Sequence, residues 1–211
     1  MITIVVLISG NGSNLQAIID RCSGTEVQIA AVISDQSTAF GLQRAAKAGL
    51  PTHVIEPSDY TTRRSFDLKL SEIIHFYHPT LIVLAGFMRI LSNEFVEEYY
   101  GKLINIHPSL LPKYKGLNTH RRVLAAGDTE HGITVHYVSP RVDEGPIIAQ
   151  SALSLQKNES EASLAARIHA LEHALYPQII TLIAANRIAL IEDLVYFDGN
   201  PLGKNGIMLN L

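Results

Sequence analysis

Asn105 and His107 stand two residues apart in LINIHPSLLP, residues 103 to 112, within an apolar run that stops at Pro108. Alternation along an extended chain points both side chains to one face. An amide beside an imidazole pairs an oxyanion donor with a proton shuttle, the combination required when a carbonyl passes through a tetrahedral intermediate. The same two residues could instead satisfy loop backbone ahead of the proline. Asp143, in RVDEGP, reads on its own as a turn residue. Taken together, the Asn, His and Asp lack the Ser or Cys of covalent acyl transfer: Cys22 falls in a helical segment, and Ser109 has no nucleophile-elbow context. That favours direct transfer to an acceptor's own nucleophile.

Two further motifs could do chemistry. SGNGSN, residues 9 to 14, follows an apolar run and opens a helical pattern, where backbone N–H groups and the helix dipole favour a phosphate. Gly10 and Gly12 allow the tight turn, and Ser13 and Asn14 add side-chain donors; the alternative is an ordinary glycine turn capped by Ser13 or Asn14. Asp35 closes the next strand at about the distance of a ribose-binding acid, yet a dinucleotide fingerprint wants glycine where Leu15 stands, and no Walker lysine follows. HALEH, residues 169 to 173, has the H-x-x-E-H spacing of one metalloprotease class, with His169 and His173 one helical turn apart. Against zinc, no distant helix offers an obvious third ligand. Ala165, His169, Glu172 and Tyr176 share a stripe, so Glu172 either faces a cleft and binds a substrate hydroxyl or ammonium, or is solvated or capped.

Elements must position these groups. ITIVVLI (2 to 8), VQIAAVIS (27 to 34), THVI (52 to 55), TLIVLA (80 to 85) and LINIH (103 to 107) are continuous apolar strands, with helices expected at about 14 to 22, 39 to 48, 60 to 77 and 92 to 100. This pattern predicts an α/β fold with a doubly wound, mostly parallel central sheet and ligands at the strands' carboxyl ends. After residue 107 come a Pro-rich loop, a short helix near 120 to 127, and ITVHYVS and IIAQSALSL around a turn, which predict an antiparallel addition in the C-terminal half. A long helix follows to about residue 185, with Asn158 and Glu161 in capping-box spacing and an apolar stripe of Leu164, Ile168, Leu171 and Leu175. From Arg187 on, a short hairpin and a loose end are expected. No linker or repeat divides the chain, so one domain is expected over 1 to 211: a phosphate-binding half (1 to 100), a half for catalysis and, by the resemblance given below, folate binding (101 to 190), and a C-terminal hairpin or tail (191 to 211).

Composition narrows the function. The 211 residues are 47% hydrophobic and 18% charged, too apolar for disorder, and the apolar runs are strand-length rather than membrane-spanning. A net charge of -3 supplies no global field for nucleic acid, so small-molecule substrates are expected, with no nucleic-acid or membrane partner. One cysteine, and Met1 leading straight into an apolar run without a basic leader, suggest the cytoplasm.

Read together, SGNGSNLQAIID (9 to 20), LAGFMRIL (84 to 91), NIHPSLLPKYKG (105 to 116), HGITVHYV (131 to 138) and DEGPIIAQ (143 to 150) closely resemble the phosphoribosylglycinamide formyltransferases, folate-dependent members of the formyltransferase-fold superfamily. The resemblance implies transfer of the formyl group of 10-formyltetrahydrofolate to the amine of 5-phosphoribosylglycinamide in purine biosynthesis, with no metal required and a monomer or homodimer as the working form. It implies that Asn105, His107 and Asp143 are catalytic: Asn105 on the formyl oxygen, His107 as proton donor, Asp143 paired with His107. Gly12, Ser13 and Asn14 then bind the substrate phosphate and Glu172 the ribose hydroxyls, which answers the metal reading of HALEH. Arg63, Met88, Arg89, Ile90, Leu91, Arg141 and Val142, with Asn105, surround the folate. Superfamily relatives share the Asn, His and Asp, so a formyltetrahydrofolate deformylase, a hydrolase, is the alternative on the same fold; SGNGSN argues for the transferase. A binding module without catalysis would make the three residues a coincidence. Asn118 departs from the family pattern, standing where a histidine is common.

Overall fold

The computed structural model describes residues 1 to 22 and 24 to 209, so residues 210 and 211 of the expected tail lie outside the described residues. The chain divides into two compact units, Met1–Asn105 and Ile106–Leu211.

The first unit alternates strand and helix. β1 (Ile2–Ile8), α1 (Ser13–Cys22), β2 (Val27–Ser34), α2 (Phe40–Lys47) and β3 (Thr52–Val54) are followed by a short 3-10 turn at Pro57–Asp59, then α3 (Arg63–Tyr77), β4 (Leu81–Leu84), α4 (Asn93–Glu98) and β5 (Leu103–His107), within which the unit boundary falls. β1 pairs in parallel with both β2 and β4, β2 with β3, and β4 with β5. The winding therefore reverses between β1 and β4, the switch point at which doubly wound sheets hold ligands. Val5, Val6, Leu7 and Ile8 are fully buried, as is expected of strands covered on both faces. Local signals set the helix starts. Thr62 and Ser65 form a reciprocal capping box on α3, which delays that helix to Arg63, and the Ser92 hydroxyl accepts from Phe95 N at the start of α4.

The second unit carries α5 (Thr119–Ala126), β6 (Glu130–Tyr137), β7 (Ile147–Ser154), α6 (Glu161–Ala184), β8 (Ile188–Ile191), β9 (Leu194–Phe197), β10 (Asn200–Pro201) and β11 (Ile207–Met208). β6 and β7 pair antiparallel, with Thr134 opposite Gln150, and β8, β9 and β10 form a separate antiparallel sheet. The α/β class, the dominance of parallel pairs and the antiparallel addition are as expected.

Two local expectations are corrected. The cap of α6 is Ser160, whose hydroxyl accepts from Ser163 N at 3.2 Å, while Asn158 sits in the left-handed turn before it. Asn158 is two residues too early to reach the first turn. The stretch after the hairpin is not loose: Ile207 and Met208 pair in parallel with β7, and Leu209 N donates to the Gln150 carbonyl at 2.9 Å. A Gly206 with φ of +66 turns the backbone into that register, at a spot where any Cβ would lie 2.4 Å from the Ile148 carbonyl oxygen.

Candidate active site

In the first unit, the turn after β1 delivers SGNGSN to the start of α1. Gly12 adopts φ +73, and a Cβ there would lie 2.5 Å from Gly41 Cα on α2. Glycine at 12 is thus required twice, by the left-handed conformation and by the close approach of the loop to α2. Gly41 N donates to the Gly10 carbonyl at 3.0 Å. Arg44, one turn further along α2, donates from Nε to the Asn11 carbonyl at 2.9 Å and from Nη2 to Asn11 Oδ1 at 3.1 Å. The loop is held from outside by α2, at the start of α1, the end of a helix that favours an anion. Arg44 was invisible to motif reasoning because it belongs to another element.

The loop after β4 carries the expected folate residues Met88, Arg89, Ile90 and Leu91. Met88 N donates to Ser9 Oγ at 2.8 Å, tying the two loops at the switch point together. Met88 and Ile90 are exposed, whereas Leu91 is buried. The Arg89 guanidinium stacks 4.3 Å from the Phe66 ring centroid on α3, and Arg63 is exposed at the start of that helix. Exposed apolar side chains beside a stacked guanidinium suit a flat, anionic ligand. Asn105, half-buried, is the last residue of the unit and the middle residue of β5, opposite Leu84.

In the second unit, His107 and Asp143 come together in buried surroundings, with Nδ1 3.4 Å from Oδ2. His107 Nε2 lies 3.0 Å from the Tyr114 carbonyl oxygen; a carbonyl can only accept, so Nε2 carries a proton in this arrangement. Asp143 has φ of 54, and its Oδ2 also accepts from Gly116 N at 2.8 Å. The left-handed turn aims the carboxylate inward, and the hydrogen bond fixes it. Gly145 completes the turn: a Cβ there would meet the Tyr137 carbonyl oxygen at 1.8 Å. Arg141 and Val142, expected at the folate, are exposed on this same β6–β7 connection, and Arg141 lies 3.6 Å from Glu144.

His136, which motif reasoning passed over, faces Asp143 from β6, its Nε2 3.8 Å from Oδ1. Burial pushes its imidazole down from the ordinary histidine range; the bond to the Tyr137 carbonyl and the Asp143 carboxylate pull the other way. A second buried set supports the backbone after His107: Thr134 Oγ1 donates to the Ser109 carbonyl at 2.7 Å and accepts from Leu111 N, and Gln150 Nε2 donates to the Leu111 carbonyl at 2.9 Å. Polar residues inside otherwise apolar strands, ITVHY and IIAQS, were the signal that could have found them.

Glu172 is buried on α6, not solvated, while Leu171, assigned to the apolar stripe, is only half-buried. Burial and the neighbouring Glu172 carboxylate hold the Tyr176 hydroxyl well above its ordinary range. The His169 and His173 rings stack with centroids 6.2 Å apart, and among the described residues no group of three His, Cys, Asp or Glu is placed to hold an ion. Asn118 is exposed, with φ of 58, at the start of α5. No helix among the described residues is long and apolar enough to cross a membrane.

A family described as formyl transferase matches residues 2–180, running through both units. Over 205 residues the chain is 48% identical to the phosphoribosylglycinamide formyltransferase of Escherichia coli, covering 96% of this chain and 97% of that one. It is 43% identical over 192 residues to the human trifunctional purine biosynthetic protein adenosine-3, which covers 90% of this chain but only 19% of that larger protein. Among solved structures, the phosphoribosylglycinamide formyltransferase of Coxiella burnetii, in complex with CHES, aligns at a TM-score of 0.95 and 51% identity over 99% of both chains. The glycinamide ribonucleotide transformylase 1 of Symbiobacterium toebii aligns at 0.90 and 41%, over 93% of this chain and 94% of its own.

Proposed function

The chain belongs to the formyl transferase family, and we propose that it transfers the formyl group of 10-formyltetrahydrofolate to the free amine of 5-phosphoribosylglycinamide in purine biosynthesis, by direct attack. The observation that carries the reading is the buried contact of His107 with Asp143, on a strand that bears Asn105 two residues earlier. The folate cosubstrate supplies the formyl carbon and a leaving nitrogen.

The residues then divide the work. The Asn105 amide donates to the formyl oxygen and to the oxyanion that develops from it, the electrostatic role typically worth about 10²–10³ in rate. His107 gives its Nε2 proton to the departing nitrogen, exchanging the Tyr114 carbonyl for that acceptor. Asp143 faces Nδ1–H and fixes the ring's orientation, so that giving up the Nε2 proton leaves a neutral imidazole. Gly12, Ser13 and Asn14, at the start of α1, hold the substrate phosphate. Glu172 accepts from the ribose hydroxyls, a use that suits a buried carboxylate better than solvation. Arg63, Met88, Arg89, Ile90, Leu91, Arg141 and Val142 surround the folate. No residue here serves as a covalent nucleophile, so both substrates act within one ternary complex, where proximity contributes the rest. A single catalytic domain over 1 to 211 is part of the same reading, supported over residues 2–180 by one family match that runs through both units. The working form is a monomer or homodimer in the cytoplasm, without nucleic-acid or membrane partners.

The test follows folate product and free formate in parallel, with and without phosphoribosylglycinamide. Folate release that requires the acceptor is expected. Equal release without it, accompanied by formate, would identify a hydrolase and sink the proposal.

A further inference from the structure

Asp35, which no step above uses, ends up in an unusual position. It immediately follows β2 and is only 3% exposed, yet its Oδ1 has no hydrogen-bond partner among the described residues. Leaving a buried carboxylate oxygen unsatisfied is costly, and such groups concentrate where a ligand completes them. Asp35 lines an open cleft of about 590 Å³ in the first unit, within the range of small-molecule sites.

The cleft's chemistry narrows the ligand. Ser9, Asn11, Gln36 and Thr38 line it with neutral groups that both donate and accept, which matches a polyol. Arg44, fastened to Asn11, makes the surroundings unfavourable to an ammonium group. Phe40 and Met88 also line the cleft, and both are exposed, giving apolar surface to a flat ring. The turn bearing Asp35 is fixed beforehand: Ser34 Oγ donates to the Gln36 carbonyl and accepts from Gln36 N, and Ser37 N donates to Glu56 at 2.7 Å.

The cleft is lined by Ser9, Gly10 and Asn11, on the β1 side of the loop, and not by Gly12, Ser13 or Asn14. Leu15, fully buried, stands where the dinucleotide fingerprint has the glycine of close helix–strand packing, so that fingerprint is incomplete. We propose that this cleft binds a nucleoside, with the vicinal ribose hydroxyls donating to Asp35 and the base resting against Phe40 and Met88. The cleft shares Met88 with the proposed folate surroundings, and its own recognition elements are Asp35 and Phe40.

Titration of the full chain with adenosine, followed by calorimetry and ligand-observed NMR, tests this. Adenosine is expected to bind, 2′,3′-dideoxyadenosine to bind at least about tenfold more weakly because both donors to the carboxylate are gone, and Asp35→Asn to weaken adenosine by a similar factor. If Asp35→Asn does not fold, the dideoxy comparison on the unaltered protein decides alone. No binding at millimolar adenosine, equal binding of the dideoxy analogue, wild-type affinity in a folded Asp35→Asn, or displacement by phosphoribosylglycinamide would each overturn the proposal.

Discussion

Gly12→Ala is the most informative substitution in the proposed phosphate loop, because the geometry separates it from Gly10→Ala. At Gly12 the backbone is left-handed, which costs a residue with a Cβ about 1–2 kcal/mol. The added Cβ would also lie 2.5 Å from Gly41 Cα, backbone that cannot rotate away, and forced overpacking costs about 1–3 kcal/mol more. The total of about 2–5 kcal/mol has two outlets. If α1 and α2 stay in place, it is lost from folding stability. If the loop moves off α2, the N–H groups leave the phosphate, and a lost charged hydrogen bond of about 1.5–3 kcal/mol raises KM for phosphoribosylglycinamide roughly 10- to 150-fold. At Gly10 no heavy atom lies within 4 Å of the added Cβ and φ is not left-handed, so Gly10→Ala should change stability by less than about 1 kcal/mol. Urea unfolding and steady-state kinetics on both variants measure each outlet. A Gly12→Ala protein that keeps stability within about 1 kcal/mol and KM within about twofold would refute the reasoning.

Arg44→Met removes the three contacts that fasten Asn11 and Gln16; KM for phosphoribosylglycinamide should rise roughly three- to tenfold with kcat within about twofold, and a loss confined to kcat would contradict a loop-holding role. The buried His131, 3.1 Å from His120, is pushed down to about 4, chiefly by burial and next by His120. Its depressed folded value means the unfolded chain takes up a proton first as pH falls below about 6.5, so stability should drop by up to about 3 kcal/mol between pH 6.5 and 4. Unfolding curves of wild type and His131→Gln that stay parallel across that window would show otherwise. Asn118→Gly keeps the left-handed backbone and removes the amide; formyl transfer should stay within about threefold, and a loss beyond roughly thirtyfold would give that amide a chemical role.

The continuous β-branched runs located β1 to β5 closely, because strands buried on both faces leave a one-dimensional signature. The pairing of two candidate site residues was legible for a related reason: Asn105 and His107 share a strand, so period-two alternation relates them without any tertiary knowledge. Asp143 looked like a turn residue, and it is one; the same left-handed turn that explains it locally aims its carboxylate at His107. What no local pattern carries is a partner from elsewhere in the fold. Arg44 reaches Asn11 across 33 positions, and Gln150 reaches Leu111 across 39. The parallel pairing of Ile207 and Met208 escaped for the same reason, since two residues have no readable period and only the β7 edge defines them.

Single-turnover formyl transfer by Asn105→Ala at saturating substrates bears most directly on the proposed chemistry. A fall of about 10²–10³ in the rate, with acceptor and folate affinity within a few-fold of wild type, is expected if the amide stabilises the oxyanion. A rate within about fivefold of wild type would mean that Asn105 does no chemistry, and the direct-transfer mechanism would have to be rebuilt around other donors.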